Sequence, residues 1–460
     1  MSKSKNIEMI TGDPKKAIVK LAIPMMLSML LIMFYNLADS IWVAGLGADA
    51  LAAIGFITPL FMVLVGLGNG IGSGANSLIA RYIGSKNYSQ ANNAALHGIL
   101  LSVVISLIFT VLIEVFMNPI LVAMGAGKTI GIAEQYSYII FGFLFIFVYS
   151  GVASSIFRAE GDMKRATIAI AVTAVMNIIL DPIFIYVLNL GIAGAAWATV
   201  ISASLSCIIM SYWMWGKRDL YLDLSPKNFD YQSSMITDIM QVAIPSTLET
   251  IIFSILAVII NSMLVIIAGT TAVAVYTASM RIVQLAMIPL IGLGTAVLTV
   301  AGVSYGAGNP NNLKIAHTYS IKLGFAISII LGILMFVCSS YLASIFSYTA
   351  ASVSLAPEIA SAISVLSLFV LAIPHGIMSS MMFQGIGKGI NSLLITLLRS
   401  LILETVFAYI FSFIFGWGLT GIYAGVILGC FVGGTIGFIW ARIFIREFKK
   451  ISDKKYAQKD

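Results

Sequence analysis

Three polar side chains that bind cations readily stand inside apolar stretches of this chain. Asp39 lies in FYNLADSIWVAGLG, and Asn177 and Asp181 lie in MNIILDP. A charged side chain at the centre of a membrane-spanning helix costs about 2.5–3.5 kcal/mol, so a carboxylate found there usually faces an aqueous cavity. Carboxylate and amide oxygens are the ligands that hard cations prefer, and a carboxylate can also carry a proton. We therefore predict that these three residues bind a cation, either Na⁺ or H⁺.

Helical spacing places further polar groups beside the two aspartates. Residues three or four apart share one face of an α-helix, so Tyr35 and Asn36 lie on the face of Asp39. Asn177 lies one turn before Asp181 on another helix. The proline after Asp181 has no N–H, which frees a backbone carbonyl one turn earlier as another oxygen ligand. We assign Asn36 to the cation site and Tyr35 to a candidate substrate cavity next to it.

Other polar or adaptable side chains within the apolar runs are candidates for the substrate cavity. Glu249 and Glu404 are carboxylates in such runs, and Arg281 is a guanidinium. Met378 and Met381 belong to a methionine-rich segment, and methionine adapts to ligands of varied shape. For Arg281 the alternative is a structural ion pair, and for the methionines it is ordinary packing.

The composition identifies an integral membrane protein. Of 460 residues, 60% are apolar and 10% are charged, whereas soluble proteins average about 25% charged residues. Repeated apolar runs of 18 or more residues indicate transmembrane helices. The formal net charge of +7 does not indicate nucleic acid binding, because the basic residues cluster in the loops and tails. The three cysteines lie in apolar runs at unrelated spacings, so we expect no disulfide or metal site.

Twelve apolar segments are separated by polar stretches of the sequence. The predicted spans are 17–44, 50–80, 92–117, 131–157, 166–188, 192–215, 237–267, 272–303, 313–345, 357–384, 391–414 and 420–446. The even-numbered loops and both termini carry most of the lysines and arginines, whereas the odd-numbered loops carry one, Lys128. The positive-inside rule therefore predicts a multi-pass protein of the cell membrane with both termini in the cytoplasm.

The two halves of the chain resemble each other at an offset of about 222 residues. GNGIGSGANSLIARYIGSKN then faces LIGLGTAVLTVAGVSYGAGN, and Asn261 takes the place of Asp39. Since each half holds an even number of helices, the halves are parallel repeats, an arrangement found in alternating-access transporters. We predict an all-α fold of two pseudo-symmetric six-helix lobes around a central cavity. The predicted regions are an N-terminal cytoplasmic segment, the first lobe, a linker, the second lobe and a tail, at 1–16, 17–215, 216–236, 237–446 and 447–460.

Several of these stretches resemble the multidrug and toxic compound extrusion (MATE) transporters. The resemblance is carried by NLADSIWVAGLGADALAAIG, by GSGANSLIARYIGSKN and most strongly by FRAEGDMKRATIAIAVTAVMNIILDPIFIYVLNLGIAGAAWATVIS. It covers nearly the whole chain. It implies an antiporter, not an enzyme, that exports amphipathic and often cationic compounds in exchange for H⁺ or Na⁺, without another cofactor.

The resemblance also implies where the coupling ion binds. One branch of the family uses an aspartate of the first helix with an asparagine and an aspartate of the fifth, which match Asp39, Asn177 and Asp181. In that branch a tyrosine and a threonine join the site; Tyr136 or Tyr138, and Thr199, are the matching candidates. A second branch uses a glutamate of the seventh helix. Glu249 lies only four residues after Pro245, earlier than that branch would require.

Two other functions compete with multidrug efflux. A flippase for lipid-linked saccharides shares the two-lobed plan but would need a cavity rich in arginine and lysine, and Arg281 is the cation that we identify within the helices. An integral membrane enzyme or a receptor would show convergent catalytic motifs or a soluble domain, and the sequence displays neither. We expect a monomer in the lipid bilayer whose partners are small-molecule drugs and organic cations.

Overall fold

The structure, a computed structural model, describes residues 2–217, 220–347 and 353–457, so the last three residues of the predicted tail lie outside it. Within these ranges the chain forms sixteen α-helices and no strand. The α-helices are α1 Ser2–Thr11, α2 Pro14–Ala44, α3 Ala48–Gly84, α4 Tyr88–Ala123, α5 Ile130–Gly142, α6 Leu144–Ala159, α7 Met163–Pro182, α8 Gly191–Ser211, α9 Ser233–Gly306, α10 Pro310–Val337, α11 Ser339–Ser344, α12 Ala356–Ala372, α13 Pro374–Gly385, α14 Gly389–Thr396, α15 Glu404–Tyr409 and α16 Gly418–Ala457.

The predicted all-α membrane fold is confirmed. By length and composition ten helices of the described residues are able to cross a membrane, and the bent pair formed by α5 and α6 makes an eleventh span. Helix α9 has 74 residues, with non-helical Ala268 and Gly269 inside it. At 1.5 Å per residue it would extend about 110 Å, far more than the roughly 30 Å of a bilayer core. It therefore holds two spans, which brings the number to twelve.

Four helix-to-helix turns share one geometry, and this explains the Gly-rich loop motifs. After α3, α6, α9 and α13 an amide bonds back to the carbonyl five residues earlier, at 2.9, 2.8, 3.0 and 2.8 Å. The residue before that amide has a positive φ and is glycine in three of the turns, Gly161, Gly308 and Gly387. This is the Schellman type of helix end, which requires a left-handed residue. In three of the turns the next residue caps the following helix with its side chain; these are Asn87, Asp162 and Asn309.

The repeat extends to the ends of the fifth and eleventh spans. Each ends in a π-helical segment, Ile183–Val187 in the first half and Ile410–Ile414 in the second. An added Cβ at Gly194 would contact the Phe184 carbonyl, and one at Gly421 would contact the Phe411 carbonyl. These pairs are 227 residues apart, so the offset of about 222 found near the start of each half grows to 227 in this part of the chain. With the correct register, Glu404 corresponds to Asn177 and Ala408 corresponds to Asp181.

The chain divides into two compact units. One consists of Met1–Gly12 and Ile23–Thr247, and the other of Asp13–Ala22 and Leu248–Asp460. The N-terminal end of α2 thus belongs to the second unit, and the division falls just before Pro24, a proline inside that helix. The boundaries that we predict for the five regions of the chain remain predictions.

Candidate functional site

Helix α7 carries Asn177 and Asp181 into the interior of the first unit. Asp162 caps its N-terminus by accepting a hydrogen bond from the amide of Arg165 at 3.3 Å. Its regular α-helical part ends at Pro182, where the π-helical segment begins. Asn177 is 1% exposed and Asp181 is fully buried. Burying these polar groups is costly unless they have partners or bind a ligand.

The amide of Asn177 connects α7 to α8. Its Nδ2 donates to Asp181 Oδ1 at 3.2 Å and to Thr199 Oγ1 at 3.3 Å. The Thr199 hydroxyl in turn donates to the carbonyl of Ala195 at 3.0 Å. Three of the predicted cation-site residues are therefore joined in one hydrogen-bonded chain.

Asp39 on α2 joins this group through its carboxyl. It lies close enough to Asp181 for a side-chain hydrogen bond between the two carboxyls. Two carboxyls at this separation repel each other when both are ionised, so the pair is stable with a shared proton or with a bound cation. The structure brings together the two aspartates that the sequence places 142 residues apart.

Two tyrosines surround the aspartate pair. Tyr35 and Tyr136 both interact electrostatically with Asp39 and Asp181. Tyr138, the other tyrosine considered from the sequence, is 42% exposed. Of the two alternatives, the structure therefore brings Tyr136 to the site.

Three oxygens of the group are left without a hydrogen-bond partner. They are Asp39 Oδ1, Asp181 Oδ2 and Asn177 Oδ1, and all three are buried. A buried acceptor without a partner costs about 1–3 kcal/mol, so three of them in one group call for an explanation. Two carboxylate oxygens and an amide oxygen are a suitable ligand set for a monovalent hard cation.

Asn36 does not join the group by a hydrogen bond among the residues described. The residue is exposed, and its carbonyl accepts from the Ser40 hydroxyl at 2.8 Å. Seen along the helix axis, Asn36 lies about 60° to one side of Asp39 and Tyr35 about 40° to the other, and Tyr35 is on the side of the aspartate pair.

Two contacts hold α2 against α7 on either side of Asp39. Towards the C-terminus of α2, Tyr186 Oη donates to the carbonyl of Trp42 at 2.6 Å. Towards its N-terminus, the hydroxyls of Ser28 and Thr167 lie 2.9 and 3.1 Å from the carbonyl of Pro24. The bonds from Thr167 and Tyr186 thus tie α2 to the fifth span on both sides of Asp39. We call these two contacts, Tyr186 with Trp42 and Thr167 with Pro24, the clamps of α2. Neither clamp is evident from the sequence, because each joins residues about 140 positions apart.

The second unit contains a separate buried polar group around Glu249. Glu249 accepts a hydrogen bond from Ser392 Oγ at 2.6 Å and from Gln384 Nε2 at 3.3 Å. Gln384 also donates to Ser392 at 3.1 Å. All three residues are buried. Glu249 is thus better supplied with hydrogen-bond donors than Asp39 or Asp181.

The view that the helices contain little positive charge besides Arg281 is wrong. Arg399 is 6% exposed and interacts electrostatically with Glu249 and Glu404. Its Nη1 donates to Cys430 Sγ at 3.6 Å. The sequence carries the signal in LITLLRSLILETVFAYIF, where Arg399 precedes Glu404 by five residues within one apolar run.

The remaining candidates for the substrate cavity are either exposed or packed among other side chains. Arg281 is exposed. Met378 is fully buried, so it lines no solvent-accessible surface here, and Met381 packs beside Gly294. Glu404 is 2% exposed and contacts Cys430. Over the ranges described, no three His, Cys, Asp or Glu side chains are arranged to hold a metal ion.

Comparison with known proteins places these features in a family. The MatE family model matches residues 24–183 and 245–410. The multidrug export protein MepA of Staphylococcus aureus is 25% identical over 376 residues, which are 81% of this chain and 82% of that protein. An FAD transporter of Shewanella oneidensis is 25% identical over 338 residues, which are 72% of this chain and 74% of that protein.

A crystal structure of MATE in complex with MaL6 superposes with a TM-score of 0.94 at 37% identity, covering 97% of this chain and 99% of the other. Because the family model matches well over half of its length, the chain belongs to the MatE family, whose members are transporters and not enzymes.

Proposed function

We propose that this transporter exports amphipathic organic cations across the cell membrane in exchange for H⁺ or Na⁺. The similarity to MepA, a multidrug export protein, supports the substrate class. We further propose that both termini lie in the cytoplasm, as the distribution of basic residues suggests, and that the protein works as a monomer.

The observation that carries the proposal is the group of partnerless oxygens on Asp39, Asn177 and Asp181. They are buried, and two of them belong to a carboxyl pair that needs a proton or a cation to be stable. A structural role alone would be expected to provide these oxygens with donors, as Glu249 has. A group that must bind and release a cation keeps them available.

Antiport follows if the coupling cation and the organic cation favour different conformations. With H⁺ or Na⁺ at the Asp39–Asp181 pair, the negative charge in this unit is compensated and α2 is free to pack more closely onto α7. Without the ion, the negative charge attracts an organic cation. Each ligand then shifts the conformational equilibrium against the other, and this reciprocal coupling is the thermodynamic basis of exchange.

The test is efflux of a fluorescent organic cation from proteoliposomes with imposed H⁺ or Na⁺ gradients. Wild type should transport under one of the gradients, and Asp39→Asn and Asp181→Asn should each abolish gradient-driven efflux. Asp49→Asn is the matched control, since it changes an exposed carboxylate of the same unit and should transport normally.

Unchanged efflux in Asp39→Asn would remove the aspartate pair from the mechanism. Absence of efflux in folded wild type under both gradients would favour another substrate, such as FAD, which the relative from Shewanella oneidensis transports, or a lipid-linked saccharide. The saccharide alternative requires a cationic cavity for a pyrophosphate. The Glu249 and Glu404 carboxylates around Arg399 argue against that, since they compensate its charge.

A further inference from the structure

A cationic pocket lies in the second unit, and neither Glu249 nor Glu404 lines it. It has a volume of about 130 Å³ and is formed by the first turns of α10 and the C-terminal part of α16. The charged residues that line it are all basic: Lys314, Arg442, Arg446 and Lys449. A pocket of this composition is suited to an anion.

Helical spacing explains why the basic side chains converge. Arg442, Arg446 and Lys449 are four and three residues apart, so they follow one face of α16. Arg442 is held in place, because its Nη1 donates to Thr318 Oγ1 at 3.0 Å and its guanidinium lies 5.5 Å from the centre of the Phe438 ring. The other three cations are exposed and are free to adjust to a ligand.

In the portion of the chain that the structure describes, no acidic residue lines this pocket and no carboxylate forms an ion pair with its basic side chains. The ion pairs there are Arg81 with Asp238 and Arg165 with Asp162, and both lie in the other unit. The N-terminus of α10, a helix of 28 residues, lies at the pocket and adds the positive end of its dipole. Four positive charges that line one small cavity repel one another, so a bound anion would relieve that repulsion.

The internal repeat shows that the corresponding place in the first unit is covered by chain. Lys314 corresponds to Asn92 on α4 at the offset of 222, which holds for this part of the repeat. Asn92 Oδ1 accepts from the amide of Asp223 at 3.0 Å, and the Tyr88 ring lies 5.1 Å from the Tyr221 ring. The linker thus packs on the first-repeat surface, and the second repeat has a cationic pocket there.

We propose that this pocket binds the phosphate group of an anionic phospholipid. Two observations favour a lipid over a free phosphate. Ile315, next to Lys314, is 36% exposed, and Ile443, next to Arg442, is 48% exposed. Exposed apolar side chains beside cations at the end of spanning helices are typical of the membrane surface, where basic pockets between helices bind lipid headgroups. The phosphate lies among the four cations and the acyl chains lie along these isoleucines.

The experiment uses the full chain in detergent, with lipid binding measured by native mass spectrometry. Phosphatidylglycerol, phosphatidylcholine and inorganic phosphate are the three probes. The test variant is Lys314→Gln/Arg446→Gln/Lys449→Gln, which changes exposed side chains. The matched control is Lys86→Gln/Lys164→Gln/Lys227→Gln, which removes the same charge from exposed lysines of the other unit.

Wild type should bind phosphatidylglycerol about tenfold or more tightly than phosphatidylcholine, given the attraction of each cation to an anionic lipid. The triple pocket variant should lose most of this preference, and the control should keep it to within about twofold. Arg442→Lys should bind more weakly than wild type, because lysine keeps the charge but loses the planar guanidinium. If the triple variant does not fold, weaker phosphatidylglycerol binding by Arg442→Lys is the result that tests the proposal.

Three results would overturn the proposal. The first is equal binding of the two lipids by wild type, and the second is an equal loss of binding in pocket variant and control. The third is displacement of phosphatidylglycerol by inorganic phosphate at a comparable concentration, which would assign the pocket to a soluble phosphate compound.

Discussion

Asn177 Nδ2 donates to Asp181 Oδ1 and to Thr199 Oγ1, so both N–H groups of this buried amide are engaged. The orientation of the amide is thereby fixed, and its Oδ1 is left as an acceptor without a donor. Thr199 therefore orients the amide whose free oxygen we propose as a cation ligand.

Thr199→Val should weaken binding of the coupling ion about two- to tenfold, because a single hydrogen bond contributes about 0.5–1.5 kcal/mol. The valine fills nearly the same volume but no longer accepts from Asn177. Thr199→Ser keeps the hydroxyl and should behave like wild type. The measurement is the ion concentration that gives half-maximal efflux. Equal values for the valine and serine variants would show that the amide is oriented without Thr199.

The sequence predicts the aspartate pair because carboxylates inside apolar runs are few and expensive. It also predicts the helices, since each long apolar run ends in a recognisable turn such as GSKN or GAGN. It does not predict the clamps between Trp42 and Tyr186 or between Pro24 and Thr167, which join residues with ordinary helical surroundings. Such contacts depend on how the helices pack, and a single sequence carries little information about packing.

The register of the repeat also shifts along the chain. Conserving an offset of 222 throughout would place Asp181 opposite Leu403, whereas the π-helical ends give 227 and place it opposite Ala408. The intervening loops differ in length by a few residues, and such a shift rotates a helix to another face. The compensation of Arg399 by both Glu249 and Glu404 depends on packing in the same way, because these residues lie on the π-helical segment Leu397–Leu403, on α9 and on α15.

Tyr186→Phe should reduce gradient-driven efflux while leaving the protein folded. The change removes the hydrogen bond to the carbonyl of Trp42, which holds α2 beside α7 on the C-terminal side of Asp39. Without this hydrogen bond, the distance between Asp39 and Asp181 should vary more. Fewer organic cations should then be exported per coupling ion that enters. The measurement is the number of organic cations exported per coupling ion. Tyr341→Phe, at a tyrosine that is 78% exposed, should leave this ratio unchanged, and an equal change in both variants would contradict the clamp.

Glu249→Gln should affect efflux less than Asp39→Asn does. Glu249 already accepts from Ser392 and Gln384, so its oxygens are not free to hold a cation. The main expected effect is on stability, since a glutamine brings an N–H₂ group towards these two donors. Efflux and thermal unfolding measured on the same preparations will separate the two effects. Loss of efflux as deep as in Asp39→Asn, with normal stability, would move the ion site to this unit.

Glu160 should make attachment of the linker sensitive to pH. It follows the last residue of α6 and is 3% exposed, and its Oε2 accepts from the amides of Tyr221 and Leu222 at 3.2 and 3.3 Å. Burial raises the pKa of Glu160 to about 8, although the two amide bonds oppose this effect. The attached state therefore binds the proton more tightly than the detached state, and the stabilisation is lost as the pH rises towards 8.

Hydrogen exchange of the Tyr221 and Leu222 amides, corrected for the intrinsic rate, measures this dependence. Protection should fall between about pH 5 and pH 8 in wild type. Glu160→Gln keeps an acceptor oxygen but has no proton to lose, so its protection should not vary over that range. Asp223→Asn, at an exposed position of the same segment, should follow wild type. Flat protection in wild type would refute the dependence on Glu160.

Substitution of the glycines of α16 should be among the most destabilising changes in the second unit. Gly421, Gly425, Gly429, Gly433 and Gly437 recur every fourth residue and form one face of the helix. An added Cβ would overlap backbone atoms of Ala408 at Gly425 and of Glu404 at Gly429. Small residues at this spacing let helix backbones pack closely in a membrane, and backbone atoms have little freedom to move aside. Gly425→Ala should therefore cost about 1–3 kcal/mol of unfolding free energy, as overpacking of an interior does.

Gly55→Ala is the control for this prediction, because nothing lies within 4 Å of a Cβ added there. Alanine is a better helix former than glycine by about 1 kcal/mol, so this variant should be as stable as wild type or more stable. Opposite shifts of the unfolding midpoint in the two variants, measured in the same detergent, would locate the cost of Gly425→Ala in the contact between α16 and α15. A destabilisation of similar size in both would instead show that the backbone freedom of glycine matters, and that close packing along α16 does not explain the repeat of five glycines.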